Sequence, residues 1–193
     1  MNIINLLTKE QSKLLKKVSL KKEHILFYEN DLCEYVGIII KGDIVISSYS
    51  ISGKEIIYNS LTTNDMFGNN LIFSQKPYYK GNVIAKSDAE LALINKKDLL
   101  YILENNESFL ENYLMMQADF SKKLNAKIKI LSFDSALERL YCYFHDQPKI
   151  YFSSTTSLAH ELFLSRETLS RLLSDLEKQK KIKRGKNYIE LIN

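Results

Sequence analysis

Three charged side chains near the start of one predicted helix could read the edges of nucleic acid bases. The helix follows Ser165 and runs to about Gln179, and its polar face carries Arg166, Glu167 and Arg171. An arginine can donate two hydrogen bonds to guanine O6 and N7, and a glutamate can accept one from cytosine N4. We therefore predict that these three residues read base edges. The alternative is an ordinary solvated group of charges on a helix surface.

Hydroxyl and basic side chains around this helix could hold phosphate groups. Ser165 is a good N-cap residue, and with Thr168 it places hydroxyls where free backbone N–H groups can meet an anion. Further on, the segment KKIKRGKN (residues 180–187), followed by YIELI, predicts a basic β-hairpin whose cations could lie along a phosphate backbone. The residues that we predict to contact phosphate are Thr155, Ser165, Thr168, Ser170, Lys183, Arg184 and Lys186.

Two helices joined by a tight turn must position this surface. The first is predicted to begin near Ser154, and the second begins after Ser165. Helices joined by only three or four residues cross steeply, as in a helix-turn-helix. With the basic hairpin behind it, the segment predicts a winged helix-turn-helix. The leucines and alanine that face inward are Leu158, Ala159, Leu162, Leu169, Leu172, Leu173 and Leu176.

The distribution of charge agrees with a polyanionic partner for the second half of the chain. Residues 1–120 carry 13 Lys and Arg against 15 Asp and Glu, whereas residues 121–193 carry 14 against 8. A near-neutral front and a basic back suggest that the back meets a polyanion. A solvated basic surface is the alternative on charge alone.

Short β-rich runs fill the chain from about residue 18 to residue 95. They alternate with turn residues at roughly 8–12-residue spacing, which indicates an antiparallel sandwich or barrel. Gly42 and Gly53 fit hairpin positions that need a positive φ. A short amphipathic helix over residues 5–17 is predicted before them, with Thr8 and Gln11 as a capping box. The runs are HILFY, YVGIII, DIVISSYS, KEIIYNSL, NVIA and ELALI.

A long helix with two apolar faces is predicted between the two parts. Asn95 can cap a short helix over residues 96–103, and the long helix follows over residues 108–131. A helix with two apolar faces must contact two things, and we predict its own β domain and a second copy of the chain. The alternative is a helix buried once in a monomer. One face carries Leu110, Leu114, Gln117, Ser121, Leu124, Ile128 and Leu131, and the other carries Phe109, Tyr113, Met116 and Phe120.

The predicted fold class is α+β. An N-terminal antiparallel, jelly-roll-like β-roll covers residues 1–104, a dimerisation helix covers 105–131, and a winged helix-turn-helix covers 132–193. Within the last part we predict a helix from Ser135 to His145, a turn from Asp146 to Lys149 and a strand over residues 150–152.

The sequence resembles the Crp/Fnr superfamily of bacterial transcription regulators. The run SRETLSRLLSDLE (residues 165–177) is close to that family's recognition helix, and Arg166, Glu167 and Arg171 match its base-reading positions. Phe67-Gly68 matches the start of its phosphate-binding cassette, and residues 85–94 resemble the last strands of its sensor domain. The resemblance implies a homodimer that binds double-stranded DNA at a pseudo-palindrome, with RNA polymerase as a further partner.

The sequence departs from the nucleotide-binding members of that family at the clamp residues. Asn69 stands where they have a Glu for the ribose, and Tyr79 and Lys80 stand where an Arg with Ser or Thr holds the cyclic phosphate. Because Lys is a point charge, it cannot replace a bidentate clamp. We therefore expect no cyclic AMP binding. The candidate effector pocket comprises Gly68, Asn69, Asn70, Tyr79, Lys80, Leu124 and Asn125.

Other cofactors and regulatory signals follow from the same resemblance. An iron–sulfur cluster needs four cysteine ligands, and the chain has two, Cys33 and Cys142, so we expect none. His24, His145 and His160 do not cluster, and we expect no metal. Three forms of regulation stay open: a small molecule other than a cyclic nucleotide, a degenerate pocket without ligand, or a redox change at a cysteine.

A further departure lies in the helix-turn-helix itself. Phe163 occupies a position where the family commonly has glycine, and a bulky residue at positive φ is costly. We expect a slightly different turn, with Phe163 packed against the wing.

Several other classes of protein fit the sequence less well. No Ser/His/Asp set or glycine-rich phosphate loop indicates an enzyme. The N-terminal residues lack a signal-peptide core and no run is long enough to span a membrane, so we expect a cytoplasmic protein without a membrane partner. The alternative function is a ligand sensor or scaffold that does not bind DNA.

Overall fold

The computed structural model describes residues 3–53, 55–144 and 147–192. Its contacts divide the chain into two units, Met1–Ala118 and Asp119–Asn193. Each unit has its own hydrophobic core. In the part of the chain that the structure describes, no helix is both long and apolar enough to cross a membrane.

The first unit begins with a 3-10 helix, Ile3–Leu6, and a single helical turn, α1, Lys9–Ser12. The predicted capping box is present: the Thr8 hydroxyl accepts from the Gln11 backbone N–H, and the Gln11 side chain accepts from the Thr8 N–H. The predicted helix over residues 5–17 is wrong in its extent, because α1 ends at Ser12. The chain then enters strand β1, Lys16–Leu20, which pairs with strand β8, Ala89–Asn95, so sheet pairing overrides the local helical pattern.

Two four-stranded sheets enclose the core of the first unit. Strand order is β1-β8-β3-β6 in one and β2-β7-β4-β5 in the other, and all the neighbouring pairs are antiparallel. The predicted antiparallel β-roll is therefore confirmed, although β1 and the two-residue β6 were not predicted. Lys54, at the start of one predicted run, lies outside the described residues. The remaining strands are β2 Ile25–Phe27, β3 Tyr35–Lys41, β4 Ile44–Tyr49, β5 Glu55–Leu61, β6 Met66–Phe67 and β7 Asn82–Ala85.

The two predicted hairpin glycines adopt the left-handed conformation. Gly42 has φ 93° and Gly53 has φ 78°. At Gly42 a Cβ atom would also lie 2.5 Å from the Asp88 carbonyl oxygen. A side chain at this turn would therefore strain the backbone and displace the neighbouring strand.

Two helices follow the β-roll. The Asn95 side chain caps α2, Lys96–Asn105, by accepting from the Asp98 N–H at 2.9 Å. The long helix α3 runs from Glu107 to Leu131, as the sequence predicts. Phe109 and Tyr113 are buried in the core of the first unit. The other predicted face is open in the single chain: Leu114, Leu124, Ile128 and Leu131 are each about half exposed.

The second unit contains the predicted winged helix-turn-helix. Its helices are α4, Ala136–Tyr143, α5, Thr155–Glu161, and α6, Arg166–Lys178; the strands β9 Lys149–Tyr151, β10 Ile182–Arg184 and β11 Tyr188–Leu191 form a sheet of order β10-β11-β9. Leucines of all three helices pack with Ile150, Ile182 and Ile189 of the sheet. His145 and Asp146, which fall in the predicted helix end and turn, lie outside the described residues.

Candidate functional site

The turn between α5 and α6 places the start of α6. Helix α5 ends at Leu162, and the Leu164 N–H reaches back to the Ala159 carbonyl at 2.9 Å. Phe163 lies between them with φ 54°, in the left-handed region. The expectation of a different turn is therefore wrong: the backbone keeps the positive φ in spite of the aromatic side chain. A carbonyl hydrogen bond from Arg139 to Phe163 holds it there (3.2 Å), and the Phe163 side chain is 39% exposed.

Two hydroxyls close the N-terminus of α6. The Ser165 Oγ accepts from the Thr168 N–H at 3.0 Å, which makes Ser165 the N-cap that the sequence predicts. Its Oγ also lies 2.9 Å from the Thr168 hydroxyl. Ser165 is exposed and Thr168 half-buried, so the first turn of α6 presents a hydroxyl beside the remaining free backbone N–H groups.

The three predicted base-reading residues lie on one exposed face of α6. Arg166, Glu167 and Arg171 are all exposed, whereas Leu169 and Leu173, on the other face, are fully buried. The pKa of Glu167 lies below its usual value because its own backbone N–H and the Ser165 hydroxyl bond the carboxylate, with smaller contributions from Arg166 and Arg171. The face therefore presents two guanidinium donors and an ionised acceptor at one helix end.

The basic residues of the wing differ in their freedom. Lys183 and Lys186 are exposed. Arg184, in contrast, points back to α6: its guanidinium lies 3.9 Å from the Glu177 carboxylate and 3.4 Å from the Ser174 hydroxyl. The other predicted phosphate contacts are half-buried Thr155, at the start of α5, and exposed Ser170, on α6.

An aromatic residue supports the wing, and the sequence analysis missed it. The ring of Tyr188 lies over Gly185, where a Cβ atom would approach within 2.1 Å of it. The Lys149 ammonium sits 4.1 Å from the centre of the same ring and 5.6 Å from that of Tyr151. The pairing of Tyr188 with Tyr151 brings these residues together. The sequence signal was the alternation of Lys149 and Tyr151 on a strand whose partner was not known.

In the first unit, three of the predicted effector-pocket residues lie close together. Gly68 has φ 76°, and a Cβ there would lie 2.7 Å from the Tyr35 carbonyl oxygen and 3.2 Å from the Cys33 sulfur. The Tyr79 hydroxyl donates to the same Tyr35 carbonyl at 2.8 Å. The Asn69 carbonyl accepts from Tyr113 and Gln117 of α3.

The side chain at the predicted clamp position is buried. Tyr79 is 2% exposed, and its ring stacks on Phe27 with 4.6 Å between ring centres. Burial raises the pKa of the Tyr79 phenol and of the neighbouring Cys33 thiol above their usual values, so both stay protonated at neutral pH. The phenol can donate a hydrogen bond but carries no positive charge for a phosphate.

The remaining pocket candidates are spread out. Asn70 and Lys80 are exposed in the first unit, and Leu124 and Asn125 are exposed in the second. His24 and His160 are exposed as well. Among the residues that the structure describes, no group of three or more His, Cys, Asp or Glu side chains could hold a metal ion.

Known proteins resemble this chain in sequence and in fold. The family model of the cyclic nucleotide-binding domain matches residues 17–106. The "Anaerobic regulatory protein" of Bacillus subtilis (strain 168) is 24% identical over 191 residues, which cover 91% of this chain and 80% of that protein.

Two solved structures share the fold of this chain. The Thermus thermophilus catabolite activator protein is 20% identical, with a TM-score of 0.59 over 100% of this chain and 94% of that one. A CooA mutant from Carboxydothermus hydrogenoformans is 21% identical, with a TM-score of 0.69 over 94% and 85%. At these identities, the likeness is one of fold.

Proposed function

The chain has the cyclic nucleotide-binding domain and the fold of the Crp/Fnr superfamily, which confirms the resemblance in its sequence, and from this premise we propose that it is a sequence-specific DNA-binding transcription regulator. The observation that carries the proposal is the exposed face of α6. Arg166, Glu167 and Arg171 stand together at a capped helix N-terminus, with the exposed lysines of a wing in the same unit. A helix enters the major groove with such side chains near its N-terminus.

The proposed roles divide between base reading and phosphate binding. Arg171 and Arg166 read guanine through O6 and N7, and Glu167 accepts from a cytosine N4. The ionised state of Glu167 suits this role, because a carboxylate without its proton can only accept. Ser165, Thr168, Ser170 and Thr155 contact phosphate with hydroxyl groups, and Lys183 and Lys186 do so as cations.

Arg184 has a second task besides its predicted phosphate contact. Its guanidinium already faces Glu177 and Ser174 on α6. We propose that it fixes the wing strand to α6 and meets phosphate only with its remaining N–H groups. We therefore expect the two exposed lysines to contribute more to the salt dependence of DNA binding than Arg184 does.

We propose that the regulator acts as a homodimer through the open face of α3. Leu114, Leu124, Ile128 and Leu131 expose between 48% and 56% of their surface in the single chain. Their steps along α3 follow a heptad-like pattern, which suits a two-stranded coiled coil. A two-fold dimer would present two copies of α6 to a pseudo-palindrome with half-sites about 34 Å apart.

The regulatory signal is proposed to differ from cyclic AMP. Tyr79 takes the position of the phosphate-binding Arg, and its side chain is buried and stacked on Phe27. A small molecule other than a cyclic nucleotide is the first of the remaining options, with neither an iron–sulfur cluster nor a metal. By the same resemblance we propose a cytoplasmic protein that is not an enzyme, with RNA polymerase as a partner.

Binding of the full chain to selected duplexes tests the proposal. Rounds of selection from a randomised duplex pool give a preferred duplex, and fluorescence anisotropy at two salt concentrations compares it with a scrambled duplex of the same composition. We expect a two-fold symmetric sequence and tighter binding of the selected duplex. We also expect the logarithm of the binding constant to fall steeply with the logarithm of salt. Equal, weak binding to both duplexes would favour the sensor or scaffold function instead.

A further inference from the structure

One buried arginine joins two distant parts of the second unit. Arg139 lies on α4, where its Nε donates to the Phe133 carbonyl at 2.9 Å and one Nη donates to the Phe163 carbonyl at 3.2 Å. Phe133 follows the end of α3, and Phe163 is in the turn before α6. A single guanidinium thus spans from the segment after the long helix to the helix-turn-helix turn.

The turn is a place where such support matters. Phe163 has φ 54°, which is uncommon for a residue with a Cβ atom and is strained for a bulky one. The Leu164 N–H closes the end of α5 on the Ala159 carbonyl, so the positive φ at Phe163 belongs to a helix-ending motif that usually contains glycine. A charge-assisted hydrogen bond to the Phe163 carbonyl favours the strained conformation over the relaxed ones.

Ser165, the N-cap of α6, is two residues beyond the bonded carbonyl. The direction of the chain at Phe163 therefore sets where α6 begins. We propose that Arg139 is the positioning residue that fixes the N-terminus of α6 relative to the end of α3. The proposal rests on the DNA-binding function, because α6 carries the base-reading residues.

Arg139 differs from a phosphate-binding arginine in its partners. Two of its N–H groups are engaged by backbone carbonyls, and the residue is half-buried. A phosphate contact would have left these donors directed to solvent. The role requires the forked geometry of the guanidinium, and lysine, with one nitrogen, cannot reach both carbonyls.

Variants of the full chain separate geometry from charge. Arg139→Gln and Arg139→Lys both remove the fork, and only the second keeps the positive charge. We expect both to bind the selected duplex about tenfold more weakly with an unchanged salt slope. Phe163→Gly relieves the strain at positive φ, so adding it to Arg139→Gln should restore most of the affinity. Phe163→Ala, the matched control, removes the ring but keeps the Cβ, and should restore little.

A measurement without DNA tests the positioning role directly. Hydrogen exchange at the Leu164 amide reports the turn, and exchange at the Thr168 amide reports the cap of α6. We expect Arg139→Gln to speed exchange at both amides, and Phe163→Gly in the same chain to slow it again. Exchange at the parent rate in Arg139→Gln would overturn the proposal.

The binding data give two further ways to refute it. A salt slope that becomes shallower by about 0.9 in Arg139→Lys or Arg139→Gln would identify a direct phosphate contact instead. Equal failure of Phe163→Gly and Phe163→Ala to restore affinity would remove the turn as the cause. If the parent chain selects no duplex, the proposed function fails, while the exchange data still decide whether Arg139 holds the turn.

Discussion

The open face of α3 gives a prediction about assembly that can be worked out from the single chain. Ile128 is 55% exposed and lies on the same stripe as Leu124 and Leu131. If this stripe is the seam of a homodimer, Ile128→Asp places a carboxylate in the seam of both subunits. The dimer should dissociate, and DNA binding should weaken with it because the two copies of α6 are no longer linked.

The size of the effect follows from the area that remains to be buried. Complete burial of an isoleucine side chain stabilises by about 1.5–3 kcal/mol relative to the exposed state. Slightly more than half of that is still available at Ile128, and the two-fold symmetry counts it twice. The loss is therefore about 1.5–3 kcal/mol per dimer, before the cost of burying the charge. The dissociation constant should rise at least tenfold.

Sedimentation equilibrium over a range of protein concentrations measures this constant. Met115→Asp is the matched control, since Met115 is 56% exposed but lies about 180° around the helix from Leu124. We expect Met115→Asp to dimerise like the parent. If Ile128→Asp dissociates no more readily than Met115→Asp, the stripe is not the seam. Circular dichroism establishes that both variants keep their helices.

Four shorter predictions address the other sites. Arg171→Ala should weaken binding to the selected duplex by about 1–3 kcal/mol and relax the preference at one base pair, which repeating the selection with the variant will show; unchanged selectivity would refute the base-reading role. Lys183→Ala should weaken binding to all duplexes alike and make the salt slope shallower by about 0.9, so an unchanged slope would exclude a phosphate contact. Gly185→Ala should lower the thermal stability of the second unit by about 1–3 kcal/mol, because the new methyl group overlaps the Tyr188 ring; an unchanged Tm would count against that packing. Cyclic AMP should leave the Tm of the first unit unchanged, since no clamp arginine stands at Tyr79, and a rise in Tm that follows the ligand concentration would show binding.

Local signals predicted much of the fold because they act within a few residues. Thr8, Asn95, Ser135 and Ser165 each cap the helix that the sequence assigns to them, through side-chain bonds that span three residues. The long helix was readable from its two apolar faces, and Phe109 is buried in the β-roll core as one face requires. The base-reading face of α6 was predictable for the same reason, since a regular helix fixes which residues share a side.

Signals that depend on distant partners were not readable. The residues of β1 continue a helical pattern, and they become a strand only because Val18 pairs with Leu91 far along the chain. The turn at Phe163 was predicted to change because its steric cost is local and visible, whereas the Arg139 hydrogen bond that favours it comes from 24 residues away. Arg184 was read as a free cation because the approach of Glu177 depends on how the wing folds onto α6.

The interior of the first unit narrows the meaning of the lost clamp. At Tyr79 the sequence shows only a missing arginine, but the structure shows a phenol that bonds the Tyr35 carbonyl and stacks on Phe27. The cassette therefore has a core of its own and does not need a phosphate to be filled. Its next residue, Asn69, offers its carbonyl to Tyr113 and Gln117, so this loop is bonded directly to α3. A signal that moves the loop reaches the long helix through that one carbonyl, and this holds for a small molecule as for a change at Cys33, whose thiol donates to the adjoining Gly68 carbonyl.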